Sequence, residues 1–380
     1  MLRIAVVGCG KIADQHVEQI LQLPDCRIVA VCDREELMAS QLQERLGGVQ
    51  RFTDVAQMLS EVKPDVVHLT TPPQSHYLLG KLCLESGCNV YIEKPFTVTS
   101  ADTEELLALA ECKKLKVTVG HNAQFSHAAS RARRLIGEGY LGGPPVHMES
   151  YYCYDLADPS YAKALFGDRY HWVRTLPGGL LQNTISHGVS KIAEFLISEN
   201  PEVIAYGFTS PVLQSIGETD VIDELRVIIR DPAGPTAYFT FSSQMRPALH
   251  YVRFYGAKNG LLVDENQQTV VRMRGARYKS FLEQFIAPIN FAGEYFKSSL
   301  TNISKFLKND FQAGYGMRSL ISDFYGSVTK DTAPPIPYSE IRCTSWIMEQ
   351  IFLQLQAARP VSGKDIIAGV RSDAQFARQA

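Results

Sequence analysis

The sequence has no CxxC pair and no Cys/His spacing that fits a zinc site, although it holds eight cysteines. That pattern excludes a zinc ribbon or a paired redox motif. It leaves the cysteines as reduced thiols. No stretch approaches the ~20 apolar residues of a membrane span. The first ten residues lack the long apolar segment of a secretory leader, so a cytoplasmic location is expected. There is no excess of either charge. The formal net charge is -2, with no global basic field for nucleic acid, and no nucleic-acid partner is expected. Neither internal repeats nor low-complexity tracts occur. Loose acids such as Glu218, Asp220, Asp223 and Glu224 have no histidine in register, so no metal site is expected.

What is present is an ordinary globular composition. Hydrophobic residues make up 45% and charged residues 21% of the 380 residues, enough to build two cores without staples. Apolar runs at 3–8, 27–33, 65–71, 89–92 and 116–119 read as buried parallel strands, with a short one at 49–52. Helical patterns fall between them, near 11–23, 35–46, 54–60, 75–86 and 100–113. Strands alternating with helices predict a doubly wound α/β sheet over residues 1–122.

The rhythm changes after a helix near 128–139. Period-2 strands follow at 146–154, 202–208, 224–230, 236–242, 251–255 and 260–264. They predict a second α/β domain, 123–380, with an open, mainly antiparallel sheet of four to six strands. An apolar open face is a liability in a monomer, so a homodimer or homotetramer is expected through it. Residues 278–310 stand apart as an insertion. Apolar residues recur there at helical spacing, with Lys279, Lys297, Lys305 and Lys308 among them. Pro288 is expected to split the segment into two helices. The favoured reading packs them on the sheet or a sister subunit, in preference to a membrane surface.

Gly8-Cys9-Gly10-Lys11-Ile12-Ala13 is a GxGxxA motif set between a predicted strand and a predicted helix. Gly8 permits the tight turn and Gly10 lets backbone approach a pyrophosphate. Ala13 keeps the helix near the sheet, and Lys11 and Ile12 open that helix with its N–H groups toward phosphate. Asp33 closes the second strand, 25 residues after Gly8, where a carboxylate accepts both ribose hydroxyls of NAD and repels the 2′-phosphate of NADP. Arg34 is placed to stack on adenine or engage a phosphate. NAD is therefore favoured over NADP. Thr71, Pro72, Pro73 and His76 lie in a loop at the carboxyl end of the next strand. His76 is read either as a ribose contact or as packing at a helix start. Glu93-Lys94-Pro95 follows another strand at the same edge, and Lys94 would face the nicotinamide.

In this order and spacing, GxGxxA, the strand ending in Asp33, TTPPxxH and EKP resemble the Gfo/Idh/MocA oxidoreductase family. Gly178–His187, Trp172-x-Arg174 before it and Asp323–Tyr338 are similar to that family's later motifs. The resemblance implies a Rossmann domain followed by an open-sheet substrate domain. It also implies hydride transfer between a nicotinamide and a ring hydroxyl of a sugar, nucleotide sugar or polyol. Lys94 and His187 are then the catalytic pair. Many relatives carry Asp at the place of Asn183, whereas the family's nucleotide-sugar 3-dehydrogenases look similar in using Asn, and Gln124 stands where relatives often carry Arg. Asn183, Trp172, Arg174 and Gln124 are the expected substrate contacts, with Glu93 and Lys94 also at the cofactor. Two other outcomes stay open on the same scaffold: glycoside cleavage or aldose–aldose exchange with a bound cofactor, and a non-catalytic dinucleotide or sugar sensor.

Overall fold

In a computed structural model of the chain, residues 1–154, 172–215, 217–275, 281–312 and 314–358 are described. The first 120 residues form a six-stranded parallel sheet from β1 (Leu2–Val7), β2 (Cys26–Cys32), β3 (Gln50–Phe52), β4 (Val66–Leu69), β5 (Asn89–Ile92) and β6 (Val117–Val119). Their order across the sheet is β3-β2-β1-β4-β5-β6. The order reverses between β1 and β4, which opens a crevice at the carboxyl ends of the strands. Helices α1 (Lys11–Ile20), α2 (Glu36–Arg45), α3 (Val55–Val62), α4 (His76–Glu85) and α5 (Ser100–Lys113) cover the sheet. Local chemistry sets their starts. Asp54 accepts from the Gln57 N–H at 2.7 Å to cap α3, and Thr99 accepts from Asp102 N–H at 3.1 Å to cap α5.

The second sheet has seven strands: β7 (His147–Tyr152), β8 (Glu202–Phe208), β9 (Glu224–Arg230), β10 (Thr236–Ser242), β11 (His250–Tyr255), β12 (Asn259–Asp264) and β13 (Thr269–Arg274). Their order is β13-β12-β11-β7-β10-β9-β8, with β7 and β10 parallel and the other pairs antiparallel. One more strand is present than the pattern predicted. The additional strand is β13, whose apolar run is interrupted by Arg272 and Arg274. One face packs under α6 (His127–Gly137), α7 (Gly179–Thr184), α8 (Ser186–Ala193) and α12 (Tyr338–Ala357). The opposite face leaves Ile204, Tyr206, Ile228 and Tyr238 exposed.

Two expectations are corrected. Residues Leu282–Leu307 form one helix, α10, and Pro288 does not divide it. The proline lies in the second turn, where the hydrogen bond it removes is one of the helix's first. A boundary at residue 122 also does not separate the two cores. After the short α9 (Pro211–Ser215) and α10, helix α11 (Tyr315–Lys330) returns to the parallel sheet. Met317, Leu320, Ile321 and Phe324 enter its core together with Ile336 and Ile341. Lys279 lies outside the described residues. All eight cysteines are free thiols, as expected.

Candidate active site

The phosphate turn is built by backbone constraint. Gly8 has φ +92°, and a Cβ there would lie 2.8 Å from Thr71 Cγ2 and 2.9 Å from the Thr70–Thr71 backbone. Only glycine fits both conditions. Gly10 caps α1 without any side chain bonded across the helix start, and a Cβ on it would meet nothing within 4 Å. That open space above a helix N-terminus fits a dinucleotide pyrophosphate. Ala13 is fully buried against the sheet. Lys11 is exposed and Ile12 half-buried at the mouth.

Asp33 braces this turn. It accepts from the Cys9 N–H at 2.7 Å through Oδ2 and from the Glu35 N–H at 2.9 Å through Oδ1. Each oxygen keeps a further lone pair, so the carboxylate still fits a ribose diol. The Arg34 side chain is solvated and pairs only loosely with Glu35 at 3.6 Å.

The loop after β4 holds Thr71, exposed Pro72 and buried Pro73. The structure decides between the two readings of His76. It is fully buried, with Nδ1 2.9 Å from the Pro95 carbonyl and Nε2 2.8 Å from the Thr71 carbonyl. Both ring nitrogens are engaged, so His76 ties two loops together and has none left for a ribose. Glu93 is likewise corrected as a cofactor contact. Its carboxylate turns inward, with Oε1 2.8 Å from His16 Nε2 and Oε2 accepting from the Lys94 N–H at 3.2 Å. Gly120 leaves the room for it, since a Cβ there would sit 2.6 Å from Oε1. Burial pushes the Glu93 carboxyl up, but His16 and Lys94 outweigh it and hold it below its ordinary value.

Behind Glu93 runs a buried polar chain that sequence reasoning missed. His16 Nδ1 lies 2.8 Å from His68 Nδ1, and His68 Nε2 lies 2.8 Å from the Tyr325 hydroxyl. His68 stacks on Tyr91 at 4.7 Å with rings 6° from parallel. No spacing signals it, because its members come from α1, β4, β5 and α11.

Lys94, on a cis Lys94–Pro95 peptide, reaches across to the second domain. Its Nζ donates to the Asn183 main-chain carbonyl at 2.9 Å and to Asn183 Oδ1 at 3.3 Å. Burial lowers the Lys94 pKa, against the raising effect of Glu93. His187 follows one turn after Asn183, as α7 passes into α8. Its Nδ1 is buried without a hydrogen-bond partner. Burial, followed by the nearby charge of Lys94, His121, Lys191 and His250, pushes its pKa well below the usual range. The ring is therefore neutral near pH 7 and able to accept a proton.

Around this pair stand further groups. His121, at the end of β6, has both ring nitrogens buried without partners and lies 6.2 Å from the His187 ring. Burial drives its pKa down to about 3. The Tyr152 ring lies 5.7 Å from His187, and Lys191 sits 5.1 Å over it while bonded to Glu265 at 2.5 Å. His121 could have been found from its place, immediately after a strand of the parallel sheet. Tyr152 was legible only as one of several alternating tyrosines.

Three expected substrate contacts do not join this cluster. Gln124 is buried and its amide donates to the Ser190 carbonyl and to Glu340, while its main-chain carbonyl accepts from Arg133. It secures the helices behind the site. Arg174 donates to both Glu218 oxygens at 3.3 and 3.4 Å, beside Val173, Leu180 and Leu213. Trp172 packs there too, and its carbonyl accepts from Gln74 of the TTPPQSH loop at 3.2 Å. These two close the wall between the domains rather than meeting Lys94 and His187.

Residues 2–121 match the oxidoreductase family with an NAD-binding Rossmann fold, GFO_IDH_MocA. Over those residues the chain is similar to the Gfo/Idh/MocA oxidoreductases. It is an NAD(P)-dependent oxidoreductase of a dehydrogenase group that acts on CH–OH groups. Myo-inositol 2-dehydrogenase of Thermotoga maritima is 24% identical to it, over 81% of this chain and 88% of that one. D-glucoside 3-dehydrogenase of Escherichia coli is 32% identical, over 37% of this chain and 40% of its own length. In fold, the WlbA dehydrogenase of Bordetella pertussis, solved with NADH and UDP-GlcNAcA, superposes with a TM-score of 0.73. Its identity is 16%, covering 94% of this chain and 96% of that one. Among the described residues no group of His, Cys, Asp or Glu is arranged to hold a metal.

Proposed function

We propose that the protein oxidises a ring hydroxyl of a sugar, nucleotide sugar or polyol, with NAD preferred over NADP. The carrying observation is the Lys94–Asn183 bridge with the unpartnered His187 Nδ1 one turn away. A bound nicotinamide supplies the hydride acceptor. The chain supplies the rest. Lys94 lies at the sheet edge where a hydroxyl would meet the nicotinamide. Its ammonium stabilises negative charge developing on that oxygen. His187, neutral through burial, takes the proton. Asn183 orients the lysine and offers an amide to a neighbouring hydroxyl. Asn in place of a carboxylate favours a nucleotide sugar, because the diphosphate of such a substrate meets less negative charge. The Asp33 carboxylate supports the NAD preference.

The test is absorbance of reduced nicotinamide, with NAD and a panel of UDP-sugars and free polyols. A signal is expected with at least one compound, falling roughly 10²–10⁴-fold in Lys94→Ala while NADH binding persists. No signal from any compound would reject net dehydrogenation. It would favour a recycling bound cofactor or a sensor. We also propose a homodimer or homotetramer through the exposed sheet face of Ile204, Tyr206, Ile228 and Tyr238. A monomeric mass at micromolar concentration would reject that assembly.

A further inference from the structure

Helix α10 has its polar side buried and its apolar side in water. Glu294 and Ser298 are its two buried residues. Glu294 accepts from Arg272 of β13 at 2.6 and 2.9 Å, and the Asn302 amide donates to the Gln267 carbonyl at 2.9 Å. These contacts seat the helix along the outermost strand of the second sheet and fix its rotation. At 100° per residue, Leu282, Phe285, Ile289, Phe296, Ile303 and Leu307 then lie on the side opposite that seat. Phe285 is 63%, Ile289 71%, Phe296 65% and Leu307 78% exposed. The stripe runs the length of a 26-residue helix, about 39 Å.

We propose that this helix lays the protein on an anionic bilayer surface, with its apolar side among the lipid chains. Charge selects that occupant. Residues 270–310 carry seven Lys or Arg against three Asp or Glu, a net +4. The whole chain carries -2, which leaves -6 on the remainder. Lys297 and Lys308 flank the stripe and are exposed, placed to reach lipid phosphates. Two copies meeting through the exposed side of α10 would bring Lys297 and Lys308 against their own kind, with no exposed carboxylate between Leu282 and Lys308 to pair them. The apolar arc is also wider than the two-position seam by which helices pair, because Leu300 joins it and Phe306 extends it on one side. Among the described residues no helix is long and apolar enough to cross a membrane, so the attachment is to one leaflet. This departs from the preference drawn from sequence. Spacing alone did not reveal that the polar side of the helix is the one the sheet occupies.

The experiment is flotation of the full-length protein with vesicles of phosphatidylglycerol and phosphatidylcholine in roughly equal parts, and with phosphatidylcholine alone. The protein is expected to float with the anionic vesicles and to release progressively at high salt. Phe285→Glu/Phe296→Glu/Ile303→Glu changes only exposed side chains, and unchanged circular dichroism and NADH binding would verify its fold. It should lose binding at least tenfold. Lys297→Ser and Lys308→Ser should each weaken binding about fivefold. Wild-type protein left in the soluble fraction would overturn the proposal, as would binding that the triple variant retains. A triple variant that dissociates from oligomer to monomer, with no flotation of the wild type, would assign the helix to self-association and equally overturn it.

Discussion

The two halves of the active site are made by different means. On the cofactor side, backbone geometry does the positioning. Gly8 needs its positive φ and its missing Cβ, and α1 must begin three residues later. Such constraints are local, so they leave a spaced motif in the sequence. On the substrate side, Lys94, His121, Asn183, His187 and Tyr152 come from separate elements brought together by two packed cores. Function there depends on burial and on neighbouring charge. A short motif therefore marks a place where the chain conformation itself is the functional device. Elsewhere residue identity alone underdetermines the role.

Substitutions can set the halves apart. The largest effect is expected from Gly8→Ala, which combines backbone strain with contacts of 2.8–2.9 Å. About 3 kcal/mol of stability should be lost, and NADH affinity should fall more than tenfold. Thermal melting and nucleotide fluorescence would measure both; unchanged affinity would mean that the turn does not approach the cofactor. Asn183→Asp should be milder and of another kind. A carboxylate beside Lys94 and one turn from His187 favours both protonated forms. The acid limb of kcat/KM against pH should then move upward, with NADH affinity intact. An unmoved limb would remove His187 or Lys94 from the proton path.

What the sequence disclosed follows the same division. The six parallel strands, the turn at Gly8–Ala13, Asp33 and the Lys94 position were all readable from apolar runs and glycine spacing. His76 was left open between two directions, and Glu93 was assigned to the right loop but turned toward the cofactor. Which way a side chain turns is decided by partners far along the chain, such as Pro95 for one and His16 for the other. Gln124 was misassigned for the same reason: its partners, Ser190 and Glu340, come from α8 and α12. The helix that Pro288 was expected to break survives because the proline falls near its start, a matter of register that spacing does not record.

The bond between His68 and Tyr325 has a consequence for how the molecule is made. A ribosome releases the parallel sheet's strands first, all within 120 residues. Yet His68 meets its hydroxyl only after about two hundred more residues have emerged, and Leu320 and Phe324 fill the sheet's core no sooner. The nucleotide half is thus begun before the second sheet and finished only after the whole of that sheet has been made.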